Sequence, residues 1–287
     1  MVLLLIASSY GLWILLSGHP LRAYASFIPL LLSLQVLLND LLEHHVMGGL
    51  RFGSFFFKLL MAPGTMLHEL SHFFAALFTG STITGLSLFK PNPRTGMLGS
   101  VSYKLKVDEW VVVREFLIAF APFMGCGIMI LLVDYFYGGM LLEAVGGLDV
   151  NAPDDFIQSF IILSTSIFGF MAGLDYASIS SWIILYAIFS FSLGAAPSGH
   201  DFRDSLKSMV KYPVGTVFTV FFISIIFLVH ELPYSLYGVR EYVSGGSLLA
   251  FKFVFTVLMF SCAFLALMLP IAYVFSVLKG QEKKKGA

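Results

Sequence analysis

His68, Glu69 and His72 stand in the run TMLHELSHFFAALFTG, residues 65–80, and form the pattern H-E-x-x-H. The apolar surroundings make a helix the natural reading. Residues four apart share a helix face, so the two imidazoles can converge on one metal ion while Glu69 lies beside them. Two imidazoles and an adjacent carboxylate suit a zinc hydrolase: Zn2+ activates water and polarises a scissile carbonyl, and the carboxylate takes the water's proton and passes it to the leaving amine. The alternative is three polar residues satisfying one another inside a bundle. Burying ionisable groups in an apolar medium is costly, and where it happens they usually serve a function.

Catalytic zinc usually keeps three protein ligands and an open position, so one ligand lies outside the motif. The stretch GAAPSGHDFRD, residues 194–204, offers Asp201 as first choice and His200 as second. Ser198 to Asp201 also reads as a capping arrangement, with Asp201 in the first turn of a short helix. Asp175, in GLDYAS, is the next alternative, and Asp134 falls near the opposite face by depth. His44 and His45 are adjacent and diverge on a helix, which favours interfacial solvation, and His230-Glu231 lacks a second histidine four residues on. Cys126 and Cys262 are far apart in apolar runs and form no metal or disulfide pattern.

The elements that must position these residues belong to a membrane protein. Of 287 residues, 58% are hydrophobic and 12% charged, and the mean hydropathy is +0.88, outside the range of soluble domains. The expected fold is an all-α polytopic membrane protein, one domain over residues 1–287, with about 6–8 transmembrane helices. Apolar windows fall near 1–17, 21–42, 54–79, 110–136, 156–174, 177–197, 213–232 and 247–278. The first lacks a basic n-region and reads as a membrane segment rather than a removed signal peptide. Within this domain, residues 53–136 are the expected catalytic core and 156–212 the expected third-ligand region. A formal net charge of zero gives no basic surface for nucleic acid.

Residues 81–107 are the least helical part of the chain: STITGLSLFK and MLGSVSYKLK flank the turn sequence PNPRTG, which predicts a short β-hairpin. Basic loops mark the cytoplasmic side. The 80–109 connection, the 198–212 loop and the lysine-rich tail therefore read as cytoplasmic, and the acidic 137–155 loop as external. All four assignments hold only if the 156–174 and 177–197 segments make one net crossing, with a break in GFMAGLDYASISS, residues 169–181. His72 precedes the helix end near Thr79 by about 10 Å, which puts the site within the membrane close to the cytoplasmic face.

HELSHFFAALFTGSTITGLSLF resembles the segment of site-2 protease-like intramembrane zinc metalloproteases in which H-E-x-x-H, an alanine-rich turn and a T-G ending lead into β-strands, and FLIAFAPFMG resembles that family's next membrane helix. The resemblance covers residues 54–136. It implies zinc ligands at His68 and His72, catalysis by Glu69, and a hairpin that could hold substrate by strand addition. Better-known members take their third ligand from an N-x-x-P-x-x-x-x-D-G segment, which is missing here, so the choice among Asp201, His200 and Asp175 stays open.

The expected function is therefore a zinc-dependent intramembrane endopeptidase of a divergent branch. Its partners are the lipid bilayer and a membrane protein substrate cleaved in or near a transmembrane segment. Two alternatives remain: a prenyl-protein-processing type of membrane zinc protease, which wants a downstream helical glutamate ligand, and a metal-binding transporter or channel, which wants more acidic or histidine residues at matching depth.

Overall fold

The computed structural model of the chain describes residues 2–17, 21–49, 55–92, 98–139, 143, 153–195, 199–228 and 237–285. In chain order the elements are α1 (Val2–Leu15), α2 (Arg22–Gly49), α3 (Phe55–Phe78), β1 (Thr82–Ser87), β2 (Ser100–Lys104), α4 (Val111–Phe136), α5 (Pro153–Gly173), α6 (Ile179–Ala195), α7 (Gly199–Lys211), α8 (Pro213–Leu228) and α9 (Tyr237–Lys285). The stretch after residue 198, read from sequence mainly as a charged loop, is the helix α7. It meets α8 at 105°.

Among the described residues three helical stretches are long and apolar enough to cross a membrane: Arg22–Leu42, Val111–Phe136 and Gly245–Pro270. The α7–α8 pair makes a fourth if its bent halves count as one span. In α3, Pro63, Thr65, His68, Glu69, Ser71 and His72 interrupt the apolar run. Leu117, Met124, Ile128, Leu132 and Tyr135 form an exposed stripe along α4. An uninterrupted apolar stripe facing outward suits hydrocarbon rather than water.

Helices α3, α4 and α6 pack mutually and carry the site, while α9 packs along α2 and touches both α4 and α6. The Gln35 amide of α2 donates to the Ser261 hydroxyl of α9 at 2.8 Å, and that hydroxyl donates to the Ser192 carbonyl of α6 at 3.2 Å. This relay ties the two groups together where a purely apolar seam would leave register loosely specified.

Chain directions follow from which residues meet. Tyr186, Ser190 and Gly194 of α6 meet Leu59, Gly64 and His68 of α3 in ascending order, so these helices run parallel and both finish at the hairpin end. Helix α4 starts at that end and finishes at the other, where α6 begins, so between Tyr137 and Ala195 the chain makes one net passage. In α9, Ser261 meets Ser192 and Phe264 meets Phe189, the descending order of an antiparallel pair. Helix α9 therefore ends opposite the hairpin. This corrects the sequence expectation of three basic segments on one side: the hairpin connection and α7 share an end, and the tail leaves from the other. Loop charge alone does not register that α9 runs antiparallel to α6.

Helix α3 stops because Gly80 adopts a left-handed conformation, φ 72°. Its N–H donates to the Leu77 carbonyl and that of Ser81 to the Ala76 carbonyl, closing the helix end in a Schellman pattern. The chain turns directly into β1, which pairs antiparallel with β2 in the register Thr82↔Lys104 to Ser87↔Ser100. Thr84 is an extra residue in β1 and bends the ribbon there.

Asp108 organises the entry into α4. Its side chain accepts from the Trp110 N–H at 3.0 Å and from the Arg114 guanidinium, which also donates to the Lys106 carbonyl at 3.0 Å. The Arg114 hydrogen bond holds the Asp108 carboxyl below the usual carboxylate range. A depressed folded pKa contributes stability above the unfolded value of about 3.9, and that contribution disappears as pH falls through the folded pKa. Thermal unfolding of Asp108→Asn is expected to fall less steeply with acidification below about pH 4 than that of the parent chain. Parallel acid limbs would rule this anchor out.

Candidate metal centre

The placement of His68 begins with a defect in its own helix. Pro63 has no N–H, so the Leu59 carbonyl four residues earlier loses its ladder donor. The Tyr186 hydroxyl of α6 donates to that carbonyl. One turn on, the Ser190 hydroxyl accepts from the Gly64 N–H at 2.8 Å and donates to the Leu60 carbonyl at 3.2 Å, bridging the next gap. One further turn along α6, the Gly194 carbonyl accepts from His68 Nδ1–H at 2.8 Å. Tyr186, Ser190 and Gly194 recur every fourth residue and so share one face, which repairs α3 and then aims its first histidine.

This contact requires two glycines. A Cβ at Gly64 would lie 1.8 Å from the Ser190 carbonyl oxygen, and one at Gly194 would lie 2.4 Å from the Gly64 carbonyl oxygen.

His72 is aimed by the other neighbour. Its Nδ1–H donates at 2.7 Å to the Ile118 carbonyl of α4. Inside a helix that carbonyl would normally serve the N–H four residues on, but residue 122 is proline. The Gly194 carbonyl lies in the last turn of α6, where the helix ladder itself supplies no donor. Each histidine thus bonds an acceptor that helix geometry leaves over.

Carbonyls only accept, so both Nδ1 atoms carry the hydrogen. With both Nδ1 hydrogens so directed, the two Nε2 atoms face each other at 3.1 Å. Two ring nitrogens hold that distance when they share a cation, whether a proton or a metal ion. Two imidazole nitrogens bound at about 2.0–2.1 Å to one tetrahedral zinc stand roughly 3.3 Å apart, so the donor pair fits the ion. Backbone carbonyls on the far ring nitrogens are the usual way such ligands are oriented.

Glu69 is 8% exposed and His72 6% exposed. The cover over Glu69 comes from the hairpin: a Cβ at Gly99, beside the start of β2, would lie 2.6 Å from Glu69 Cγ. Residue 99 must be small for strand and base to sit together. A second carboxylate, Glu115 of α4, is also buried, one turn before Ile118. The Tyr103 hydroxyl of β2 donates to its Oε1 at 3.4 Å, so the strand is tied to the helix that aims His72.

The remaining sequence candidates divide by position. Helix α7 begins at Gly199, which puts Asp201 in its first turn. The side chains of His200 and Asp201 lie outside the described residues. Their helix packs on α4 and starts five residues after Gly194, whose carbonyl holds His68. Asp175 is excluded as a ligand by distance. It opens the turn before α6, where its side chain is exposed and accepts from the Ala177 N–H at 3.0 Å. The 17 residues of α6, about 25 Å of helix, stand between that turn and Gly194. Asp134 is buried at the same opposite end, in the last turn of α4. The side chains of His44 and His45, and all of His230 and Glu231, lie outside the described residues. Among the described residues no group of three His, Cys, Asp or Glu could hold a metal ion.

Sequence reasoning found the motif and missed the supports. Their signal was present as prolines inside helices, at positions 63 and 122, and as the Tyr-x3-Ser-x3-Gly spacing of α6. The chain matches no protein-family model, no curated protein and no solved structure.

Proposed function

We propose that the chain is a zinc-dependent intramembrane endopeptidase, a divergent relative of the site-2 protease-like metalloproteases, which hydrolyses peptide bonds in or near a transmembrane segment of a protein substrate. The observation that carries this reading is the histidine pair, with the two Nε2 atoms turned toward each other at 3.1 Å, both rings oriented through Nδ1, and a buried carboxylate next to the first of them. His68 and His72 would hold the ion, and Asp201, at the start of α7, is the preferred third ligand. When bound, zinc supplies Lewis acidity to the substrate carbonyl and lowers the pKa of water. Glu69 accepts the water proton and returns it to the leaving amine, shielded from bulk solvent by the Gly99 strand.

The wider arrangement is consistent with this chemistry. Six to eight spans remain our expectation for the whole chain. The hairpin end is assigned to the cytoplasm on the strength of Lys90, Lys104, Lys106, Lys207 and Lys211, since the tail lies at the opposite end. His72 is six residues from the end of α3, about 9 Å of helix, which is a membrane-embedded depth within reach of water from that side. A two-stranded ribbon leaves an outer edge on each strand, onto which an unwound substrate segment can add.

The test uses full-length protein purified in detergent with zinc supplied. Elemental analysis is expected to find one zinc per chain, and a transmembrane reporter peptide to be cut in a chelator-sensitive way. Asp201→Asn is expected to lower zinc affinity by at least about ten-fold, with His200→Gln as the comparison. A parent chain without zinc, or cleavage that survives His72→Ala, would overturn the proposal.

A further inference from the structure

We infer that Pro122 is a positioning residue for the metal centre: it keeps the Ile118 carbonyl free of a ladder donor and so reserves that acceptor for His72 Nδ1–H. The inference rests on the zinc reading above and adds a residue that touches neither metal nor substrate.

In an uninterrupted α4 the N–H of residue 122 would occupy one lone pair of the Ile118 carbonyl and hold that carbonyl along the helix axis, leaving the imidazole a weaker and less well aimed acceptor. Proline removes that donor, and its ring also presses against the carbonyl of residue 118, tilting it away from the helix axis. The 2.7 Å bond from His72 Nδ1 ends on that same oxygen. Pro122 is itself buried, so its ring is fixed between neighbours and the tilt is not averaged away. The same device recurs in α3, where the carbonyl released by Pro63 is taken by the Tyr186 hydroxyl of α6. There the bond joins two helices; in α4 it sets a ring. The orientation follows: with Nδ1–H committed to a carbonyl, Nε2 is the atom turned toward His68.

A purely structural proline would act through the bend it puts in α4, and removing it would change packing rather than imidazole chemistry. The two roles separate through the backbone. In Pro122→Ala the competing N–H returns. When lactic acid is incorporated at position 122, the ester oxygen provides neither an N–H nor a ring.

The experiment uses the full-length chain in detergent and has two readouts: 15N NMR of the histidine rings in metal-free protein, and zinc affinity by chelator competition, with circular dichroism as the check on helicity. In metal-free parent protein His72 is expected as the Nδ1–H tautomer. Pro122→Ala should shift a substantial fraction to Nε2–H and weaken zinc about ten-fold at unchanged helicity. The lactic acid variant should return both readouts to within about two-fold of the parent. Pro270→Ala, a helix proline in α9, should change neither. An unchanged His72 tautomer in Pro122→Ala overturns the inference whatever the metal does, and so does a lactic acid variant that behaves like alanine. A parent chain with the expected tautomer and no zinc affinity overturns the zinc reading instead and leaves the role of Pro122 in orienting the ring intact.

Discussion

Glu69→Gln is expected to lower peptide hydrolysis by a factor of about 10²–10⁴ and to leave zinc binding within about two-fold of the parent. Glutamine keeps the size and shape of the side chain, so its contact beneath Gly99 survives and the hairpin stays seated. It cannot accept the water's proton at neutral pH, and hydrolysis loses its base. In the proposed site the ion would be held through His68 and His72, whose ring orientation comes from the Gly194 and Ile118 carbonyls on other helices. The substitution therefore separates metal retention from chemistry. Zinc content and reporter cleavage, measured on the same preparation, check it. Cleavage within ten-fold of the parent chain would remove Glu69 from the proposed role, whereas loss of zinc would make it a ligand rather than a base.

Among the described glycines, Gly64→Ala is expected to be the most damaging single-methyl change. The added Cβ would sit 1.8 Å from the Ser190 carbonyl oxygen, a backbone atom that cannot turn aside as a flexible side chain can. Helices α3 and α6 must then separate. Overpacking of this kind typically costs about 1–3 kcal/mol, and loss of the buried bond from the Gly64 N–H to Ser190 Oγ adds about 1–3 kcal/mol. Zinc affinity should fall as well, because the acceptor for His68 lies one turn further along the same α6 face. Gly11→Ala, where nothing lies within 4 Å, is the matched control and should stay within about 0.5 kcal/mol. Denaturant unfolding with zinc titration on both variants checks this. Equal behaviour of the two would show that the α3–α6 seam tolerates expansion and that His68 does not depend on it.

Some of this architecture is legible in the sequence because local chemistry dictates it. The turn sequence between two β-branched runs announces the ribbon, Thr79-Gly80 announces the end of α3, and the four-residue histidine spacing places both imidazoles on one helix face. Other features depend on which residues meet across helices, where local patterns carry little information. A proline at 122 reads as a kink in a membrane helix until its freed carbonyl is found 2.7 Å from His72. Tyr186 and Ser190 look like ordinary polar residues in an apolar helix until they are seen bonded to the backbone of α3. The side on which the tail emerges depends on the direction of α9, which charge in the tail does not encode. Asp175 was a reasonable ligand by chemistry and fails by the length of α6.

The bonds from Tyr186, Ser190 and Gly194 to α3 also limit how a substrate can be admitted. Rotating α3 about its axis, or sliding it by one turn, would break four hydrogen bonds to α6 in a single step and orphan three backbone carbonyls in an apolar surround. The two helices therefore move as one plank. On the proposed function, room for a polypeptide substrate would have to open on the flanks of that plank away from α6, by displacement of the ribbon or of α4, and a crosslink between α3 and α6 should leave turnover untouched.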